Sequence, residues 1–174
     1  MIVDLTDVVC NEDKQYNIET LIELETFESR LGSYPIMNKT PLQLCIVNEE
    51  GQRLKITGTM ELESLAPCDR CLTDVPMKFS LQIIREYTIE DKKLVIGMLE
   101  ETDYMIGFDL DVEGLVYDEI LTNWPMKVLC KDDCKGICIR CGTNLNLWEC
   151  TCDQTEPDPR MAAIKDVFSK FKEV

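Results

Sequence analysis

Alternation of apolar and polar residues predicts two long β-strands near the middle of the chain. Over residues 53–65, the apolar side chains of Leu54, Ile56 and Leu62 are separated by polar positions, and residues 75–89 alternate in a similar way. Successive side chains on a strand point to opposite faces, so a period of two indicates strands with one buried face. We expect the two strands to pair antiparallel.

Turn signals at the ends of these strands predict hairpins. The apolar run at residues 42–47 is followed by Asn-Glu-Glu-Gly at residues 48–51, which indicates a hairpin turn into the next strand. Pro67 ends the first long strand, so the pair Cys68 and Cys71 falls at the tip between the two long strands.

Weaker signals come before and after this region. Residues 1–9 predict a short strand, and residues 16–27 predict a strand that leads into a turn at residues 32–35. Residues 91–103 predict a loop, because charged ends surround only a short apolar run.

Apolar residues at helical spacing predict two helices. The first begins after Asp111 as N-cap and ends before Pro125, and the second begins at residues 158–160, where Asp-Pro-Arg is a helix start. Their apolar stripes are Val112, Leu115, Val116, Ile120 and Trp124 in the first, and Met161, Ile164, Phe168 and Phe171 in the second. The second stripe either packs on the body or docks a partner.

These elements predict an α+β fold. We expect a mainly antiparallel β-sheet or barrel-like body over residues 1–129, with one helix near its end. Residues 130–174 would form a cysteine-rich, zinc-ribbon-like module followed by a helix. The length of 174 residues suits one domain, or one domain with a small metal-bound appendage. No run of 18 apolar residues occurs, so the sequence predicts no membrane-spanning helix.

Charge and composition narrow the possible functions. The formal net charge of −15 repels phosphate, which argues against extensive nucleic-acid binding. The sequence contains no histidine, which excludes histidine-based triads and histidine-rich catalytic zinc sites. Eight acidic and no basic residues lie between positions 100 and 119, where we expect a solvated face or a patch for a basic partner such as a ribosomal protein.

The cysteines supply the candidate chemistry, since six of ten lie within residues 130–152. Two thiolates three positions apart can reach one metal ion across a tight turn, and a following glycine can close that turn. The spacing predicts two structural zinc ions, each held by four thiolates. The predicted ligand sets are Cys138, Cys141, Cys150 and Cys152 for one ion, and Cys68, Cys71, Cys130 and Cys134 for the other.

Other uses of these thiols are less well supported. One ion held by Cys130, Cys134, Cys138 and Cys141 is the alternative grouping, but it excludes Cys150 and Cys152. Because the first residues show no secretory signal, we expect a reducing, cytoplasmic location, where clustered thiols bind metal more often than they form disulfides. The Cys-x-x-Cys pairs do not lie in a βαβ pattern, which argues against a thioredoxin-like role.

Several strings together resemble the YceD family of bacteria and plastids, the large ribosomal RNA subunit accumulation proteins. The matching strings are PCDRCL at residues 67–72, WPMK at 124–127, CKDDCKGIC at 130–138, CGTNLN at 141–146, the pair Cys150 and Cys152, and DPR at 158–160. The resemblance implies a role in accumulation of large-subunit rRNA or in ribosome assembly, and it implies no catalytic residue.

Two classes of function follow. The first is a non-enzymatic factor that meets a ribosomal protein or a pre-ribosomal large-subunit particle, with no membrane partner. Any rRNA contact would be weak alone and local, through four basic residues near the cysteines: Lys127, Lys131, Lys135 and Arg140. The alternative is that these residues are solvated neighbours that offset the thiolate charge. Trp148 would stack on a base or pack against the metal site.

The second class is an enzyme that depends on zinc or on a thiol, such as a nucleic-acid-related deaminase or an oxidoreductase. The string Cys10-Asn11-Glu12 formally supplies a ligand and a general base ahead of Pro67-Cys68-x-x-Cys71. We interpret this match as chance, and we interpret Cys45 as a small buried apolar residue.

Overall fold

The computed structural model describes residues 1–30, 32–95 and 103–152. It divides the chain into two compact units. The first unit contains Met1–Cys68 and Thr73–Val128, and the second contains Asp69–Leu72 and Leu129–Val174.

All strands and both helices with assigned bounds lie in the first unit. The strands are β1 (Ile2–Asp4), β2 (Gln15–Thr20), β3 (Thr26–Ser29), β4 (Gly32–Lys39), β5 (Leu42–Glu49), β6 (Arg53–Pro67), β7 (Asp74–Glu90), β8 (Lys93–Val95), β9 (Met105–Ile106) and β10 (Asp109–Asp111). The helices are α1 (Thr6–Cys10) and α2 (Val112–Thr122).

Strand β6 is the centre of an open antiparallel sheet. It pairs with β7 without interruption from Arg53↔Thr88 to Pro67↔Asp74. Its other edge pairs first with β5 and then with β4, and β2, β3 and β8 extend the sheet from those strands. A small second sheet has the order β1-β10-β9.

One face of the large sheet forms the hydrophobic core. Alternate residues of β5, β6 and β7 are buried together with the apolar residues of α1 and α2, as the period of two requires. The opposite face is polar, and it contains a shallow groove of about 740 Å³ at the middle of β5, β6 and β7. The half-buried Cys45 lies on this groove, so its interpretation as a fully buried residue was wrong.

Polar side chains bind backbone groups at one end of each helix. The Asn48 side chain is fully buried and donates to the carbonyl oxygens of Val8, Val9 and Asn11 at 2.9–3.1 Å. These carbonyls at the end of α1 would otherwise lack partners. Asp111 accepts a hydrogen bond from the backbone N–H of Glu113 and so caps the start of α2.

Helix α2 is held to β7 by a charged network. Arg85 of β7 donates to Glu119 at 2.9 Å, to Asp118 at 3.2 Å and to the Tyr104 hydroxyl at 3.0 Å. Glu119 is only 6% exposed, and Asn123 also donates to its carboxylate. The pairing satisfies a carboxylate that could not otherwise be buried at low cost.

Trp124 follows α2 and completes the apolar stripe predicted for that helix. Its ring lies 5.0 Å from that of Phe27, 4.5 Å from Tyr34 and 5.7 Å from Phe79, measured between centroids. The packing fixes the end of the helix against the sheet.

The structure confirms the sequence-based predictions for the long strands and for the helix after Asp111. The turn at residues 48–51 is also confirmed, since Glu50 and Gly51 have φ angles of 55° and 69°. The fold is α+β and has an antiparallel sheet, one of the two predicted forms of the body. The helix predicted from residue 158 lies outside the described residues.

Four local predictions were wrong. The strand predicted over residues 16–27 is interrupted, because β2 ends at Thr20 and β3 begins at Thr26. Residues 6–10 are helical instead of continuing the strand predicted over residues 1–9, and β8 lies where a loop was expected. Residues 32–35 begin β4 instead of forming a turn. Among the described residues, no helix is both long and apolar enough to cross a membrane.

Replacing Arg85 with Met should destabilise the protein by about 2–3 kcal/mol, because the buried Glu119 loses its charged partner. Urea denaturation would measure the loss. Lys55→Met is the matched control, since its ion pairs with Glu49 and Glu86 are exposed and should contribute less than about 1 kcal/mol. Equal losses in the two variants would contradict this account of the network.

Candidate metal centre

The first group of cysteines, which we call the deep group, consists of Cys68, Cys71, Cys130 and Cys134. All four sulfurs lie within 4.8 Å of one another. Cys71, Cys130 and Cys134 belong to the second unit, and Cys68 immediately precedes its first segment. Cys68, Cys71 and Cys134 are at most 5% exposed, whereas Cys130 is exposed.

The second group, which we call the local group, consists of Cys138, Cys141, Cys150 and Cys152. Its sulfurs also lie within 4.8 Å of one another. Cys138 is buried, Cys141 is exposed and the other two are half-buried. None of the ten cysteines, all within the described ranges, forms a disulfide.

A tight hairpin positions Cys138 and Cys141. The backbone N–H of Cys138 donates to the carbonyl of Thr143, and that of Gly142 donates to the carbonyl of Cys138, both at 2.8 Å. Gly142 has a φ angle of 72°, the conformation that closes the turn and that other residues rarely adopt. The glycine therefore has the role that the sequence predicted for it.

The loop Asp69–Leu72 is bound to the segment around Cys134. Arg70 donates from its guanidinium to the carbonyl of Cys134 at 2.8 Å, and its own carbonyl accepts from the N–H of Ile137 at 3.1 Å. A side chain on Gly136 would lie only 3.1 Å from the Arg70 carbonyl oxygen, so a glycine is favoured there. These contacts bring Cys71 to Cys130, with 3.5 Å between their sulfurs.

Both groups fit a metal ion held by four thiolates. A tetrahedral zinc ion with bonds of about 2.3 Å requires sulfurs about 3.8 Å apart, which is compatible with sulfurs that all lie within 4.8 Å of one another. In the second unit's described residues, the buried side chains are those of Cys71, Cys134 and Cys138, with no buried aliphatic or aromatic residue. A unit this small, without an apolar core, needs cross-links such as disulfides or a bound structural metal to be stable.

The ionisation of the local group also suits metal binding. Hydrogen bonding by Thr143, whose hydroxyl lies 3.1 Å from the sulfur, lowers the pKa of Cys141 to about 6. Backbone hydrogen bonding from Cys141 and Arg140 lowers the pKa of Cys138. Hydrogen bonding to the Cys141 sulfur raises the pKa of Cys152 to about 12. Without metal, Cys152 therefore keeps its proton at neutral pH, and metal binding must release it.

Asn146 contacts the deep group, although sequence reasoning gave it no role. Its Nδ2 donates to the Cys134 sulfur at 3.3 Å, and its Oδ1 accepts from the backbone N–H of Lys135 at 2.9 Å. Asn146 lies in the string CGTNLN, one of the strings on which the family resemblance rests. That string is the sequence signal from which its importance could have been predicted.

Other candidate residues lie apart from these groups or face solvent. Cys10 and Glu12 belong to neither cysteine group, so the structure does not bring the deaminase-like string to a metal-binding set. Trp148 is 71% exposed. This exposure does not fit packing against the metal site, which was one of the two predicted possibilities, and it leaves the ring accessible for stacking, which was the other. The four basic residues Lys127, Lys131, Lys135 and Arg140 are all exposed.

The acidic stretch is not one solvated face. Within its described part, Asp111 caps α2, and Asp118 and Glu119 bind Arg85. Asp103 and Asp109 are exposed and leave a smaller acidic surface. Glu100 and Glu101 lie outside the described residues.

Comparison with known proteins gives a family. The family model for "Large ribosomal RNA subunit accumulation protein YceD" matches residues 56–168. The chain is 30% identical over 131 residues to the Bacillus subtilis protein YlbN, covering 71% of this chain and 72% of YlbN.

Two further relatives are more distant. The chloroplastic Arabidopsis thaliana protein "Large ribosomal RNA subunit accumulation protein YCED homolog 1" is 23% identical over 147 residues, covering 68% of this chain and 46% of that protein. An uncharacterized Mycobacterium leprae protein is 25% identical over 101 residues, covering 57% of this chain and 46% of that protein. The chain thus spans about half the length of several curated relatives it matches. No solved structure matches it significantly.

Protein purified in reducing buffer should contain two zinc ions per chain, because two separate sets of four sulfurs are present. Removing the metal with a chelator should unfold the segment 138–152, since structural zinc supplies roughly 10–16 kcal/mol of binding free energy that is coupled to folding. Elemental analysis and amide hydrogen exchange would measure both effects. One ion per chain, or none, would contradict the two-site arrangement.

Cys68→Ser and Cys134→Ser should lower stability by similar amounts, because each removes one ligand of the same ion. The double variant should then cost little more than either single variant. Thermal unfolding of the zinc-loaded proteins would measure the three losses. Additive losses would place the two cysteines in different sites.

Proposed function

The chain belongs to the YceD family, and on this premise we propose that it is a non-enzymatic factor that supports large-subunit rRNA accumulation during ribosome assembly, with two structural zinc ions. The observation that carries the proposal is the family match over residues 56–168, which includes both cysteine groups as far as Cys152. The eight cysteines would be the zinc ligands, and the cytoplasmic location predicted from the sequence is part of the proposal.

A structural role for zinc is supported by the chemistry of the ligands. Four thiolates complete the coordination of a zinc ion, whereas catalytic zinc keeps one position for water or substrate. The sequence has no histidine to supply the mixed ligand set of most catalytic sites. We therefore propose that the ions fold the second unit and that binding, not catalysis, is the activity of this protein.

The charge distribution favours a basic protein as the direct partner. The second unit's segments 69–72 and 129–152 contain four acidic and four basic side chains, so the excess of acid lies mainly in the first unit. Each zinc with four thiolates adds two further negative charges. Such a molecule repels the phosphates of RNA and attracts the basic proteins that coat it.

The hairpin of β9 and β10 is the surface that we propose for this partner. The exposed Asp109 pairs with Ile106 across the hairpin, Ile106 is 74% exposed, and the exposed Asp103 lies just before β9. An exposed apolar side chain paired with a carboxylate suits a segment of a ribosomal protein that carries both apolar and basic residues.

Direct contact with RNA would be local and weak without this partner. Trp148 offers an exposed aromatic face, and Lys131, Lys135 and Arg140 are exposed near the cysteine groups. Stacking on one unpaired base contributes roughly 1–3 kcal/mol, which is too little for tight binding to bare RNA.

An enzyme that depends on zinc or a thiol is the alternative. Deaminase activity on a nucleic-acid base, lost in Glu12→Gln, would establish it, because Glu12 is the residue that the deaminase-like string offers as general base. Retention of all activity in the variant would exclude Glu12 from catalysis.

Reversing the charge of both Asp103 and Asp109 to lysine should weaken association with pre-ribosomal large-subunit particles by about tenfold, through loss of attraction to a basic partner. Co-sedimentation at moderate salt would measure it. The matched control reverses Lys131 and Lys135 to glutamate and should have a smaller effect.

Tight binding of the purified protein to bare large-subunit rRNA would overturn this interpretation if the lysine variants lost it and the aspartate variants kept it. An RNA-driven interaction would also weaken steeply with salt, roughly in proportion to the number of phosphates contacted.

A further inference from the structure

The side chain of Asn146 joins the loop of the local group to a ligand of the deep group. Asn146 lies between Cys141 and Cys150 in the chain, and its Nδ2 donates to the sulfur of Cys134 at 3.3 Å. Cys134 belongs to the other group of four. This hydrogen bond therefore joins the two candidate metal sites through one side chain.

The direction of the Asn146 carboxamide is fixed by its other contacts. Its oxygen accepts from the backbone N–H of Lys135 at 2.9 Å, so the amide nitrogen must face the sulfur. Asn144 Oδ1 accepts from both the backbone N–H and Nδ2 of Asn146, each at 2.9 Å. A flipped amide would place its oxygen against the thiolate and would lose the contact with Lys135.

The loop that carries Asn146 is closed by the local group itself. Residues 142–149 connect Cys141 to Cys150, and the backbone contacts Ile137↔Asn144 and Leu145 N–H to Gly136 carbonyl align this loop with the segment after Cys134. An ion at the local group ties both ends of the loop together. It thereby removes much of the conformational freedom that Asn146 would have to lose in reaching Cys134.

We propose that Asn146 is a positioning residue that makes metal binding at the two groups cooperative. A metal ion bound at the local group orders the loop that carries Asn146. The ordered Asn146 then donates a hydrogen bond to the thiolate of Cys134 and raises the metal affinity of the deep group. By linkage, filling the deep group must strengthen the local group by the same factor. The inference rests on the proposed function in one respect only, that both groups hold metal.

The expected factor is about tenfold or more, since loss of a hydrogen bond to a metal ligand lowers metal affinity by about 10–100-fold. The probe is Co²⁺, measured by competition with a chromophoric chelator. The coupling is obtained from three forms of the full chain. The first is the wild type. In Cys150→Ser/Cys152→Ser only the deep group is intact, and in Cys71→Ser/Cys130→Ser only the local group is intact. The coupling factor is the overall two-ion constant divided by the product of the two single-group constants.

Asn146→Ala should reduce this factor severalfold while leaving the single-group constant of the local group unchanged, because only the backbone contacts between the loop and residues 136–137 then remain. Lys135→Ala is the matched control. It keeps the backbone N–H that donates a hydrogen bond to Asn146 Oδ1, so it should keep the wild-type coupling factor. A factor of one in the wild type, or an unchanged factor in Asn146→Ala, would overturn the inference.

A spectroscopic readout separates the hydrogen bond from a general loss of structure. A thiolate that loses an N–H donor becomes a better electron donor, so the thiolate-to-Co²⁺ charge-transfer band should move to lower energy in Asn146→Ala and stay in place in Lys135→Ala. Asn146→Asp keeps the acceptor for Lys135 but puts a carboxylate against Cys134, and should bind Co²⁺ more weakly than Asn146→Ala.

These variants also cover the case in which a single-group form binds no Co²⁺. In that case the test is a comparison of the overall two-ion Co²⁺ binding constants of the wild type, Asn146→Ala and Asn146→Asp. We expect these constants to fall in that order, and equal constants would overturn the inference. If the wild type binds no Co²⁺, both this inference and the metal proposal fail. If two ions bind independently, only this inference fails.

Discussion

The convergence of thiols is the constraint on which the second unit depends. A globular unit normally excludes water with aliphatic and aromatic side chains, but the buried side chains among the described residues here are cysteines. Four thiolates held within a few ångströms would repel one another, and hydrogen bonding to the Cys141 sulfur keeps Cys152 protonated by raising its pKa to about 12. A metal ion held by such a group would replace that repulsion with attraction to four ligands, and its binding would be coupled to folding of the unit.

The first unit reaches stability by a different route. The uninterrupted pairing of β6 with β7 presents a mainly apolar face, interrupted by Ser64 and Arg85, and α2 covers part of it. Burial of Glu119 in that interface is tolerated because Arg85 and Asn123 supply its hydrogen bonds. The same hairpin ends at Cys68, so a conventional hydrophobic sheet positions this thiol of the deep group.

Sequence periodicity predicted the elements that are long and regular, and spacing predicted the two sets of four cysteines that the structure brings together. Short elements could not be predicted in the same way. The five residues of α1 are too few to show a helical period, and β4 contains the turn-forming residues Gly32 and Pro35. Pro35 pairs with Thr26 of β3 and lies just before the residues of β4 that pair with β6. The contact of Asn146 with Cys134 depends on loop conformation, which no spacing rule describes.

The division of the deep group along the chain has a consequence for biosynthesis. Cys71 precedes Cys130 by 59 residues, so the first two thiols are made, and emerge from the ribosome, 59 residues or more ahead of their partners. At elongation rates of about 5–20 residues per second, that interval lasts about 3–12 s. If the deep group holds the proposed zinc ion, Cys68 and Cys71 are during this time an incomplete ligand pair on a nascent chain, open to oxidation and to other metals. The order of synthesis would then make a reducing environment important for correct assembly of the site.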